Sequence, residues 1–182
     1  MNPARRSVAR LGAALALVAL VSCTSIPRDQ STLGGETLAG RLSVRVDADG
    51  SEPARALNAA FELRGDPTRG RLDLATPFGN VLAQARWSPS QVVLATPSGE
   101  TQFADLETLT RKVLGESVPV AALFDWLHGR PWPGAPSRPA PEVPGFEQLG
   151  WSVNLSSFGE DLLSARRDSR PPVSLRVKLE RP

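Results

Sequence analysis

Gly40-Arg-Leu-Ser-Val-Arg-Val46 sets apolar against polar side chains with the two-residue period of a strand. Leu42, Val44 and Val46 share one side, and Ser43, Arg45 and Asp47 the other, so the strand has one dry and one wet face. The alternation starts at Leu38, and Asp49-Gly50 marks a turn after it. A second strand is predicted near Ala56 to Arg64, with Ala59, Phe61 and Leu63 facing one way and Ala60, Glu62 and Arg64 the other. Gly65-Asp66-Pro67 breaks it. A third, Arg69 to Ala75, sets Leu72 and Leu74 against Arg71 and Asp73. A fourth runs from Val81 to Trp87 and a fifth from Gln91 to Thr96, punctuated by Ser88-Pro89 and Pro97-Ser98-Gly99. Short strands joined by tight turns predict an antiparallel meander, because parallel pairing needs long crossovers.

Beyond Asp105 the period becomes helical. Leu106, Leu109, Val113 and Leu114 fall on one face, Asp105 can cap the start and Gly115 the end. Pro119 opens a second helix in which Val120, Leu123, Phe124 and Leu127 recur at three and four, and Gly129 closes it. Two amphipathic helices inserted among strands must lay their apolar faces on the sheet. Arg130 to Pro144 reads as a proline-rich loop. Strands resume with Trp151, Val153 and Leu155, continue around Leu162 to Arg167, and end with Val173, Leu175, Val177 and Leu179 alternating with polar neighbours. The expected class is mainly β with an α cover, in one domain over residues 40–182.

Upstream, Thr24 to Glu36 is polar, contains Pro27 and Gly34-Gly35, and reads as a flexible tether. Before it, Arg5, Arg6 and Arg10 precede the apolar run Leu11 to Val21, and Leu20-Val21-Ser22-Cys23 closes the run with a small residue before a cysteine. This is the layout of a bacterial lipoprotein signal peptide. The run is shorter than the roughly 20 apolar residues a membrane span needs. Residues 1–22 are therefore expected to be removed, with Cys23 lipidated and residues 23–39 linking lipid to domain. In lipoproteins generally, Asp after the lipidated Cys favours the inner membrane; Thr24 favours the outer one.

The chain's net charge of +2 includes the three leader arginines; without them 18 Lys and Arg face 19 Asp and Glu. A near-neutral mature chain has no basic field for nucleic acid. His128 is the only histidine, and at a helix end it suits the dipole better than a metal. Asp105 with Glu107 fits helix capping, and Glu160 with Asp161 would point to opposite faces of a strand. No Gly-x-Ser-x-Gly elbow, phosphate loop or His-Glu-x-x-His occurs, and Cys23 is the sole cysteine. No enzyme, cofactor or metal is expected.

Phe78 sits in the turn Thr76-Pro77-Phe78-Gly79-Asn80. Such a side chain either folds back onto the core or points outward, where its burial by a membrane or partner is worth about 1.5–3 kcal/mol. Trp87, Trp126, Trp132 and Trp151 are expected in the core or a cavity wall.

These features occur in a distinctive order. The leader ending at Cys23 precedes Gly40-Arg-Leu-Ser-Val-Arg-Val46 and Thr76-Pro-Phe-Gly79. Leu114-Gly-Glu-Ser-Val-Pro-Val120 and Trp126-Leu-His-Gly-Arg-Pro131 follow, then Gly145-Phe-Glu-Gln-Leu-Gly-Trp151 and Val173-Ser-Leu-Arg-Val-Lys-Leu179. The series resembles the outer-membrane lipoprotein receptor family LolB over nearly the whole mature chain. The resemblance implies a half-open antiparallel β-barrel with a helical lid over an apolar cavity. That cavity would take the acyl chains of lipoproteins brought by the periplasmic carrier LolA, for insertion into the outer membrane. It implies that Pro77, Phe78 and Gly79 form the membrane-insertion loop, with Phe78 where the family tends to have Leu. Thr24 to Ala39 leaves little room for the helix that precedes the first strand in the family. On this reading the protein is a monomer. The expected cavity wall comprises Leu42 and Val44, Phe61 and Leu63, Leu72 and Leu74 from the first strands. Leu109, Val113, Leu123, Phe124, Trp126 and Leu127 would join from the helices, with Trp151 and Val153 from a late strand. The alternative is a lipid-anchored sensor or envelope-assembly subunit that binds a peptide or protein in the same half-barrel.

Overall fold

The computed structural model describes residues 36–50 and 52–180. The predicted signal peptide, Cys23 and the tether as far as residue 35 lie outside the described residues. Glu36 is followed directly by the first strand, which takes in Thr37, Leu38 and Ala39, assigned from sequence to the tether.

Eleven strands form one antiparallel sheet. The first six are β1 (Thr37–Val46), β2 (Arg55–Gly65), β3 (Gly70–Ala75), β4 (Val81–Ser88), β5 (Gln91–Thr96) and β6 (Gly99–Phe103). Two helices follow, α1 (Leu106–Leu114) and α2 (Val120–Trp126). The chain returns through β7 (Ser137–Pro139), β8 (Gly145–Gln148), β9 (Trp151–Asn154), β10 (Leu162–Arg167) and β11 (Val173–Leu179). Their order is β6-β5-β4-β3-β2-β1-β11-β10-β9-β8-β7, so two meanders join where β11 pairs with β1, and β6 and β7 remain free edges. This is the half-open barrel with helical cover that the family resemblance implies.

Register carries the apolar alternation across the sheet. Val44 lies opposite Leu57 on β2 and Leu175 on β11, and Leu63 opposite Leu72, so the dry faces align. α1 begins where the Asp105 carboxylate accepts the Thr108 N–H at 2.6 Å, a bond that also holds that carboxyl below the usual carboxylate range. It ends at Gly115, whose φ of 86° is the left-handed cap that favours glycine. α2 starts after Pro119 and ends with the His128 Nδ1 2.5 Å from the Phe124 carbonyl oxygen, while Nε2 meets Glu36 Oε2 at 2.7 Å. His128 thus closes a helix.

Three strands depart from the sequence expectation. β6 carries a single large apolar residue, Phe103, and its four other residues are exposed, so no alternation announces it; backbone pairing with β5 holds it at an edge. β7 lies inside the proline-rich stretch, where an edge position tolerates the missing N–H of Pro139. β8 turns Phe146 and Gln148 inward, and the polar Gln masks the pattern. Val113, expected on the covered face of α1, is 46% exposed.

The β8–β9 connection places Leu149 at φ 55° and Gly150 at φ 77° between the paired Gln148 and Trp151. This is the backbone of a type I′ hairpin, which prefers Asn-Gly. Leu149 is half-exposed and strained by the close approach of its Cβ to the following carbonyl. Leu149→Asn is expected to raise the unfolding free energy by about 1 kcal/mol, read as a higher urea midpoint at unchanged slope. A midpoint that does not rise refutes the assigned strain.

Candidate functional site

The inner face of the sheet is uneven in volume. β3 contributes Leu72 and Leu74, but their partners on β4 are Ala85 and Ala83, which leave space where larger neighbours would fill it. α1 borders that space with Leu106, Leu109 and Val113, and Val118, Val120 and Leu123 also line it. The result is a cavity of about 80 Å³, also walled by Leu42, Val44, Leu57, Leu94, Leu114 and Leu175.

Thr110 is the one polar side chain in that wall. Its hydroxyl donates to the Glu107 carbonyl at 3.1 Å and accepts the Val118 N–H at 3.1 Å. No wall side chain is left offering a hydrogen bond to a guest, so the chamber suits hydrocarbon and not a polar ligand.

Of the residues predicted to line a cavity, Leu42, Val44, Leu72, Leu74, Leu109, Val113 and Leu123 do so. Phe61, Leu63, Phe124, Trp126, Leu127, Trp151 and Val153 do not; all are buried in the packed core. Trp126 stands edge-on to Phe146 and Trp151, each with ring centroids 6.2 Å away, and Trp87 meets Phe124 at 6.0 Å. Trp132 is half-buried against the hydrophobic core.

Two polar devices fasten the proline-rich loop and the α1–α2 linker, and sequence reading missed both. Gln148, 2% exposed, accepts the Trp126 Nε1–H at 2.8 Å and the Trp132 N–H at 2.9 Å. Its amide donates to the carbonyls of Trp132 at 2.7 Å and Ala135 at 2.8 Å, tying the proline-rich loop to α2. Arg167, on β10, bonds Glu116 Oε2 at 2.5 Å and the Ser117 carbonyl at 3.3 Å while lying 5.6 Å over the Trp151 ring. It holds the α1–α2 linker to the sheet. The overlooked wall residues Leu57 and Leu175 were in phase with Phe61 and Val173, which is the signal that could have found them.

The β3–β4 hairpin points its apolar tip away from the core. The Gly79 N–H donates to the Thr76 carbonyl at 2.9 Å, the Asn80 N–H to Thr76 Oγ1 at 3.1 Å, and Gly79 takes φ 84°. A turn followed by a left-handed glycine carries the chain directly into β4. Phe78 is left 92% exposed with Val81 beside it at 54%, so the outward direction is the one adopted. Among the described residues no three His, Cys, Asp or Glu side chains converge as metal ligands.

The family described as Outer membrane lipoprotein LolB matches residues 37–181. The chain is 32% identical over 192 residues to the Outer-membrane lipoprotein LolB of Cupriavidus pinatubonensis, covering all of this chain and 89% of that protein. It is 34% identical over 165 residues to that of Bordetella pertussis, covering 84% of this chain and 82% of the other.

Proposed function

The chain belongs to the outer-membrane lipoprotein LolB family, and from that membership we propose that it is the receptor that accepts lipoproteins from a LolA-like periplasmic carrier and inserts them into the outer membrane. The observation that supports this most directly is the dry cavity beneath α1. Each methylene sheltered from water is worth about 0.8 kcal/mol, so a carrier of acyl chains needs apolar volume and no covalent step. Handover then runs downhill if the receptor holds cargo more tightly than the carrier and less tightly than the bilayer. Lipid on Cys23 moors the receptor to the membrane it serves.

At about 80 Å³ the chamber is smaller than the roughly 300 Å³ at which small-ligand pockets begin, so loading must enlarge it. α1 is the element suited to move. Leu109 is its one fully buried apolar side chain, Leu106 and Leu114 are half-buried, and Val113 reaches solvent. The aromatic cluster and the Gln148 bonds belong to the half that stays.

The test uses the mature chain from residue 24, unlipidated, mixed in solution with a LolA-like carrier loaded with an acyl-labelled lipoprotein. Transfer of the label to the receptor is expected. In the double variant Ala83→Leu/Ala85→Leu, whose six added carbons overfill the void, transfer is expected to fall at least about tenfold, with a loss of about 1–3 kcal/mol in unfolding free energy from overpacking. Undiminished transfer by a folded double variant would show that acyl chains bind elsewhere.

A further inference from the structure

The outer face of the sheet carries a second concavity. Arg41 on β1 lies opposite Lys178 on β11, and one step along the same face Ser43 lies opposite Arg176. Together with Ala60, Leu162 and Pro77 these side chains border a groove of about 490 Å³. Pro77 belongs to the hairpin that carries Phe78, so the groove runs up to the foot of the exposed aromatic.

The charge in this groove is largely uncommitted. Arg176 has no ion-pair partner among the described residues, and Arg41 meets only Glu180, at 4.0 Å with both side chains mostly in solvent. Lys178 donates to the Glu160 carbonyl, a neutral group, and has no ion-pair partner among the described residues. The neighbouring cations Arg45 and Arg166 are neutralised by Asp47 and Asp168, which narrows the excess to the three groove residues. Three like charges held on two adjacent strands create a positive potential that a diffuse counterion atmosphere screens, and that a fixed anion neutralises better.

We propose that this groove seats the phosphodiester headgroup of an anionic phospholipid while Phe78 enters the hydrocarbon beside it. The inference rests on the reading of the chain as a receptor that delivers to a bilayer, and adds to it the lipid class recognised and the face presented. An apolar wedge alone leaves the molecule free to rock about its tip. A basic groove continuous with the wedge fixes a second point, so the sheet's outer face lies toward the headgroups and the cavity mouth is held at one angle. Apolar insertion combined with basic residues is also the general route to firm attachment at an anionic surface.

The test is binding of the unlipidated mature chain to vesicles of phosphatidylcholine alone or with phosphatidylglycerol, at low and high salt. Wild-type binding is expected to rise with phosphatidylglycerol and to weaken with salt. Each cation near the surface contributes about a fivefold effect, so Arg41→Gln/Arg176→Gln/Lys178→Gln is expected to lose about a hundredfold on the anionic vesicles. The same variant should be unchanged on phosphatidylcholine, and Arg41→Lys/Arg176→Lys should retain the preference. Transfer from the carrier in solution is read in parallel. If the glutamine variant keeps its preference for phosphatidylglycerol, or inorganic phosphate abolishes that preference at matched ionic strength, the headgroup seat is refuted while intact transfer leaves the receptor reading standing. Failure of transfer in the wild type would instead refute the receptor reading.

Discussion

Gln148→Leu is expected to lower the unfolding free energy by about 3–5 kcal/mol, more than most buried apolar truncations of similar size. Leucine nearly matches glutamine in volume, so packing is roughly conserved and the loss is one of hydrogen bonds. Four groups lose their partner together: the Trp126 indole N–H, the Trp132 N–H, and the carbonyls of Trp132 and Ala135. Leaving a buried polar group unmade costs about 1–3 kcal/mol, and part of the total is recovered where water reaches the half-buried loop. Urea unfolding followed by tryptophan fluorescence measures the change. A loss below about 1 kcal/mol would mean that the network contributes little and that the aromatic packing alone holds α2 down.

The second large effect is functional. Phe78→Glu is expected to accept cargo from the carrier normally but to insert it into vesicles at least about a hundredfold more slowly. The wild-type side chain is almost wholly exposed, so removing it costs the fold nothing. Burying it in a bilayer returns about 1.5–3 kcal/mol, and a carboxylate there adds a desolvation penalty in place of that gain. Phe78→Leu, which keeps an apolar tip, should insert cargo at close to the wild-type rate. Equal insertion by the glutamate variant would remove the hairpin from the delivery step.

The sequence made the sheet legible wherever one face is wet and the other dry. β1, β2, β3 and β11 announce themselves because polar residues such as Arg, Ser, Asp and Glu interrupt the apolar residues at every second position. β6 and β7 lie at the rims, where backbone pairing suffices and side chains are free to be polar, so no periodicity records them. β8 hides because one of its two inward residues is Gln148, whose partners come from 13 to 22 residues away in the chain. The cavity was half legible for a different reason. Alternation says that a side chain faces inward, but not whether it meets another side chain or a gap, and the gap here comes from two alanines, an absence of volume that a pattern of apolar residues does not register. The direction of Phe78 depended on hairpin geometry, which is set by the bonds to Thr76 and the left-handed Gly79.

The two rims of the sheet carry a mechanical consequence. A closed barrel has its bore fixed by strand number and stagger, and cannot widen without tearing a ladder of hydrogen bonds. Here β6 and β7 are not bonded to each other, so the girth can grow by the β6 rim swinging away from a stationary β7 with every interstrand bond kept. Guests of different thickness can then be swallowed by one unmodified scaffold, with the strain of stretching borne by the wrapping of the sheet.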